Sequence, residues 1–204
     1  MEHYGLNQQT VKYSSPVQIP GTWSAVGQDY YGSFAIKSGK LYGWGNNEGG
    51  PGGRLGQGNN TQYSSPVQVG TDTDWSGPVI GYRYGAMAIK TNGKLYGWGA
   101  QDNGDRAGCL GQNSLADLTA PTLIGTDTTW HDITIGTAGC AMGLKTDGTL
   151  WTWGGYVYGN TGLNLTGSAS QRSSPTQVPG TWNALSKCSV ASQNQGAVKG
   201  AAPG

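Results

Sequence analysis

YGAMAIKTNGKLYGWG, Tyr84 to Gly99, has a close copy one period earlier, YGSFAIKSGKLYGWG from Tyr31 to Gly45, and another one period later, GCAMGLKTDGTLWTWG from Gly139 to Gly154. In each copy a short apolar run reaches a lysine, passes a glycine-containing turn and re-emerges as an alternating aromatic segment. That pattern predicts a β-hairpin. Asn92-Gly93 and Asp147-Gly148 suit a type I′ turn, whose twist matches the flanking strands, and Ser38-Gly39 does the same work in the first copy. After the turn, Leu95, Gly97 and Gly99 alternate with Tyr96 and Trp98, the period-2 pattern of a strand with small groups on one face and rings on the other. A helix here would have to absorb both the glycines and the aromatic crowding, so it is excluded.

Outward from the hairpins, four marks recur in fixed order. A proline follows small polar residues at Pro16, Pro66, Pro121 and Pro175, and a tryptophan follows at Trp23, Trp75, Trp130 and Trp182. The hairpin closes on a Trp-Gly pair at Trp44, Trp98 and Trp153, and a Leu-Gly or Gly-Leu pair comes after it. The spacing of the prolines is 50, 55 and 54 residues. Such a period exceeds that of helix-pair solenoids and fits one four-stranded propeller blade. The fold class expected is therefore all-β, a partial propeller of three and a half to four blades. Residues 1–204 form a single repeat domain, divided at 1–15, 16–65, 66–120, 121–174 and an incomplete 175–204. Within a blade, the small-residue runs GSFAI and GAMAI are expected nearest the axis. The four leading tryptophans are expected in the wider outer wedge.

Composition agrees. The 204 residues include 37 glycines, 8 tryptophans and 11 tyrosines but only 11% charged residues, which argues against disorder. A formal net charge of +1 offers no field to draw in nucleic acid or an anionic membrane. No apolar run approaches the roughly 18 residues of a spanning helix, so no membrane insertion is expected. Cys109, Cys140 and Cys188 are odd in number and lack C-x-x-C spacing, which is no disulfide framework. Cys140 stands where the other copies have Ser33 and Ala86, the place of a small buried side chain.

Catalytic machinery is hard to assemble from these residues. His3 and His131 have no motif-placed partner, so neither names a mechanism, and no catalytic, cofactor or metal site is expected. Asp72, Asp74 and Asp127, in TDTDW and TDTTW, fall short of the 6 to 8 oxygens that calcium takes and read as turn residues bonding their own backbone. The variable loops between the Trp-Gly and Leu-Gly marks are the best binding candidates. They run 46–54, 100–109 and 155–161, and carry Arg54, Arg106, Tyr156 and Tyr158, residue types that anchor interfaces. Trp23, Trp44, Trp75, Trp98, Trp130, Trp153 and Trp182, with Gly93 and Gly148, are read as structural.

The succession W-x-x-(I/V)-x-x-G, small-residue strand, (D/N)-G-x-L-(Y/W)-x-W-G and L-G resembles the repeat of the regulator of chromosome condensation family, a seven-bladed β-propeller. The likeness covers nearly the whole chain. It departs in one place: the histidine that usually opens the small-residue strand is missing, and Gly32, Gly85 and Gly139 stand near there. Seven blades of this period need on the order of 370 residues, so this chain supplies about half a ring. Open edges of half a ring invite self-association or further blades from a longer chain.

The family includes nucleotide-exchange factors, secreted inhibitors, and bacterial and phage proteins, so fold alone does not assign a role. The wording SSPVQ, V-G-T-D-T-x-W and L-G-Q-G-N-N-T resembles phage and bacterial surface repeats. The expectation is a non-catalytic binding or structural module, a virion or extracellular surface component that contacts protein or glycan through blade-rim loops. The alternative is an intracellular protein-interaction adaptor or an exchange-factor-like propeller.

Overall fold

The computed structural model describes residues 14–47, 53–82, 84–101, 107–136, 139–155, 159–165, 171–186 and 196–200. Every regular element among them apart from a single helical-turn residue is a β-strand. A first four-stranded antiparallel sheet holds β1 (Ala25–Gln28), β2 (Gly32–Lys37), β3 (Lys40–Gly45) and β4 (Tyr63–Gln68) in chain order. A second holds β5 (Trp75–Tyr82), β6 (Gly85–Lys90), β7 (Leu95–Gly99) and β8 (Leu118–Leu123). The third holds β9 (Trp130–Ile135), β10 (Cys140–Lys145), β11 (Leu150–Gly154) and β12 (Arg172–Val178). A two-stranded sheet follows, β13 (Trp182–Leu185) with β14 (Ala197–Lys199). Three full blades and the start of a fourth are therefore present. The prolines used to divide the sequence, Pro66, Pro121 and Pro175, lie inside β4, β8 and β12, so the folded unit runs from tryptophan to just beyond proline. In each case proline occupies the outermost strand, and the ladder shifts register beside it. An edge strand tolerates a residue that cannot donate to the ladder.

The hairpins form where expected, with two kinds of turn. Lys37 pairs with Lys40 around Ser38 and Gly39, at φ 50° and 73°, the two positive centres of a type I′ turn. The second and third copies are one residue longer and do not form that turn, which corrects the expectation for Asn92-Gly93 and Asp147-Gly148. There the Lys90 carbonyl accepts the Gly93 N–H and the Lys145 carbonyl accepts the Gly148 N–H, while only the glycine has positive φ. This is the three-residue loop closed by a left-handed glycine. The Asn92 and Asp147 side chains each accept a backbone N–H two residues on, from Lys94 and Thr149.

The radial order differs from the expected one. Neighbouring sheets touch along β1, β5, β9 and β13, so the strand that begins near the leading tryptophan is innermost, and the small-residue strand is second. Two features make room at the centre. Gly27 and Gly81 lie where a Cβ would run into the backbone of the facing strand, at Val79 and at Gln28 respectively. At the start of β5 the register shifts between Trp75 and Val79, and at the start of β9 it shifts beside Trp130, so each ring leaves the crowded centre and enters the seam between blades. The small side chains of β6 and β10 are needed there, because both faces of these strands are buried.

Each seam has the same composition. Phe34, Ile36, Leu41, Leu55 and Val69 of the first blade meet Trp75, Val79, Ala86, Ala88 and Trp98 of the second. Met87, Ile89, Leu95, Leu110 and Ile124 of the second meet Trp130, Ile133, Ala141 and Trp153 of the third. Met142, Leu144, Leu150 and Val178 then meet Leu185. Burial of such side chains at about 25 cal/mol per Å² is what holds one blade to the next.

Candidate interaction rim

The strand ends that follow β1, β3, β5 and β7 bring their connecting turns to one rim, and the first two blades build an aromatic cluster there. After β1 the chain turns through Asp29, Tyr30, Tyr31 and Gly32. The Asp29 N–H donates to the Gly32 carbonyl at 2.9 Å, and its Oδ1 accepts the backbone N–H groups of Tyr31, at 2.7 Å, and of Gly32. This carboxyl is only 6% exposed, and its Oδ2 is buried with no hydrogen-bond partner. Burial pushes the Asp29 pKa up to about 7, against the lowering by those two N–H groups and by the Arg54 guanidinium.

Pinned in this way, the turn displays Tyr30 and Tyr31, 65% and 41% exposed, with their rings edge to face at 4.7 Å. The Arg54 guanidinium lies over the Tyr31 ring at 4.4 Å and over the Tyr84 ring at 5.7 Å, tying a tyrosine of the first blade to one of the second. Beneath them, the Tyr82 hydroxyl donates to the Ala100 carbonyl at 2.7 Å, and burial raises its pKa well above the usual range.

The rim loops themselves are held by amides. Asn47 donates to the carbonyls of Asn59, at 2.7 Å, and Thr61, at 3.1 Å, while accepting the Leu55 N–H. Gln101 repeats the arrangement in the next blade, donating to the Ser114 and Ala116 carbonyls and accepting the Gly108 N–H at 2.8 Å.

Of the sequence-derived binding candidates, Arg54 belongs to this cluster, but as a buried strut at 4% exposure rather than a displayed anchor. Its planar cation is sandwiched by two rings, which takes it out of water. Arg106, Tyr156 and Tyr158 lie outside the described residues, as do His3 and Cys188. Cys109 and Cys140 are buried, and Cys140 pairs with Gly154 as Gly32 does with Gly45, so it stands at the place of Gly32 and Gly85 and not, as expected, of Ser33 and Ala86. His131 is exposed and borders a groove of about 450 Å³ with Lys145, Asp147 and Trp182. The displayed residues Tyr30 and Tyr31 escaped the sequence reading. Their signal was a pair of adjacent tyrosines at the place of a turn: DYYG, Asp29 to Gly32, stands where the second copy has YRYG, Tyr82 to Gly85.

Trp75, Trp98, Trp130 and Trp153 are buried in the seams and Trp182 packs against the last of them, while Trp23 and Trp44 line the open face of the first blade; a lysine completes the Trp75 and Trp130 boxes. Lys90 Nζ lies 5.0 Å from the Trp75 centroid and 4.9 Å from that of Tyr96, and pairs with Asp72 and Asp74, each at 2.8 Å. Burial disfavours its charge, yet these hydrogen bonds outweigh that and hold its pKa above the usual lysine value. Lys145 repeats this over Trp130 and Trp151, with Asp127 at 3.0 Å. The aspartates read as turn residues are therefore counter-ions of buried lysines. Among the described residues no group of three or more His, Cys, Asp or Glu could hold a metal ion, and no helix is long and apolar enough to cross a membrane.

No family model matches the chain. Solved structures do. A crystal structure of human WBSCR16 matches with a TM-score of 0.71 at 20% identity, over 90% of this chain and 48% of that one. Yeast RCC1 (Prp20) bound to Kap60 matches with a TM-score of 0.65 at 16% identity, over 90% and 43%. Prp20p from Saccharomyces cerevisiae, described with its binding to Gsp1p and histones, matches at 0.63 and 16%, over 83% and 42%. The chain thus spans less than half the length of the structures it matches. These similar structures are of human and yeast proteins rather than virion or surface components, which overturns the virion or extracellular location expected from the repeat wording. Strand order, blade seams and these similar structures together show the fold, part of a β-propeller like that of the yeast RCC1 structure.

Proposed function

We propose that the chain is a non-catalytic protein-interaction module, an adaptor or exchange-factor-like propeller that binds a protein partner through the rim of its first two blades. The carrying observation is the display of Tyr30 and Tyr31 over Arg54 and the buried Asp29. Tyrosines held rigid by an arginine present a large amphipathic contact at low entropic cost, the make-up of interface hot spots. A net charge of +1 favours a partner surface that is apolar and hydrogen-bonding rather than strongly charged. The partners described for the yeast structures, Kap60, Gsp1p and histones, form the first panel to titrate. Binding that falls at least about tenfold in Tyr30→Ser/Tyr31→Ser, a loss typical of truncated hot spots, supports the reading. Affinity unchanged by that variant rules out this rim. Accelerated nucleotide release from a guanine-nucleotide-binding protein would select the exchange-factor branch; binding without release selects the adaptor.

A further inference from the structure

The turn that carries the exposed tyrosines is closed by one side chain. Asp29 donates its own N–H to the Gly32 carbonyl at 2.9 Å, and its Oδ1 takes the N–H groups of Tyr31 and Gly32, so both backbone donors that follow Tyr30 end on the same oxygen. Its Oδ2 is buried with no hydrogen-bond partner. The turn also abuts the second blade: a Cβ added at Gly81, in β5, would meet the Asp29 backbone nitrogen at 2.6 Å. The carboxyl therefore reaches water only if the turn lifts.

The other two blades fill the same place without an acid. Tyr82, paired with Gly85, takes it in the second blade and donates its hydroxyl to the Ala100 carbonyl. Gly136 takes it in the third, with its N–H on the Cys140 carbonyl at 3.0 Å. Of these three places, only the one beside Tyr30 and Tyr31 holds a carboxyl.

Among the described residues, the groups facing Asp29 leave it poorly matched as an anion. Burial is the largest influence and raises its pKa to about 7, against the two N–H donors of its own turn and the Arg54 guanidinium. That guanidinium, from the loop after β3, is shared with the Tyr31 and Tyr84 rings. Tyr82, at the end of β5, has its hydroxyl committed to Ala100 and is kept neutral by burial.

We infer that the Asp29 carboxyl is a pH-sensitive latch on the Tyr30–Tyr31 turn, holding it against the second blade while protonated and loosening it on ionisation. Its proton is exchanged with solvent water. As a control on partner binding the latch rests on the rim reading; as a latch it does not, and its test needs no partner. A lifted turn leaves the carboxyl in water, with the ordinary value of 3.8. Lifting is hardest below that value, becomes about tenfold easier per pH unit up to about pH 7, and gets no easier above it. A partner that needs the closed turn then binds more weakly by the fraction of turns that are lifted.

Amide hydrogen exchange of the full chain, followed by NMR from about pH 5 to about pH 8 and corrected for the intrinsic rate, reads the lifting. Protection of the Tyr31 and Gly32 amides is expected to fall about tenfold per pH unit up to about pH 7 and to level off above it. The Lys94 amide, which donates to the non-titrating Oδ1 of Asn92 in another turn, is the control, and its protection is expected to stay flat. Asp29→Asn keeps an acceptor oxygen and removes the titration, so its Tyr31 and Gly32 profiles are expected to be flat as well. A flat wild-type profile overturns the proposal. So does a slope that survives in Asp29→Asn or that Lys94 shares. If that variant does not fold, the wild-type profile set against Lys94 decides. A slope of the expected form together with undiminished partner binding by Tyr30→Ser/Tyr31→Ser supports the latch and removes only the rim reading.

Discussion

The Lys90 ammonium sits 5.0 Å above the Trp75 ring with its side chain only 8% exposed, and both of its aspartate partners come from the link that leads into that tryptophan. The charge is thus held between a ring it attracts and two carboxylates that are about half in water. A desolvated cation–π contact contributes up to about 2 kcal/mol, while such half-exposed ion pairs contribute less than about 1. Lys90→Met keeps the packing of the stem and removes the charge. It is expected to lower the unfolding free energy by about 1–2 kcal/mol in urea titration, with Asp72→Asn costing less than half as much.

Stability should fall as pH rises from about 4 to about 7 through the Asp29 carboxyl. Its pKa is about 7 when folded and near 3.8 when unfolded, so the native state binds more protons across that window. Its contribution is fully present below the unfolded value and is lost as pH passes the folded one. The size is a few kcal/mol. Asp29→Asn is expected to flatten this part of the profile in denaturant titrations at fixed salt, and an unchanged slope would refute the assignment.

Gly93 and Gly125 both have positive φ, 73° and 63°, but only Gly93 meets a neighbour: a Cβ there would collide with the Thr128 carbonyl. Gly125→Ala should cost about 1 kcal/mol, the backbone strain alone. Gly93→Ala should cost at least about twice that, because the hairpin must also draw back from the next blade. Paired melting curves check the difference.

Trp153 donates its indole N–H to the Cys109 carbonyl at 3.0 Å, whereas the buried indole N–H of Trp98 has no acceptor. Replacement by Phe removes similar volume at both sites but breaks a hydrogen bond only at the first. Trp153→Phe is expected to be more destabilising than Trp98→Phe by about 1 kcal/mol.

The hairpins were legible because alternating rings and a turn glycine leave few other folds for LYGWG. Turn type was less so. KTNGK differs from KSGK by one residue, and that residue converts a two-residue loop into a three-residue one. Radial order was not legible at all, since alternation says which side chains share a face and not which strand lies nearest the centre. The Lys90–Asp72 pair was hidden because its members are 18 residues apart and meet only after the inner strand has been laid down. Arg54 read as a loop anchor because its two ring partners, Tyr31 and Tyr84, belong to different blades.

The outermost strand of each four-stranded blade carries a proline, Pro66, Pro121 or Pro175, and a break in register beside it. A perimeter so interrupted is a poor template for adding strands laterally. Cross-β fibril growth along the circumference is therefore disfavoured. A Pro121→Thr change would restore a donor on that border, and thioflavin fluorescence of the concentrated chain would report whether the safeguard had been removed.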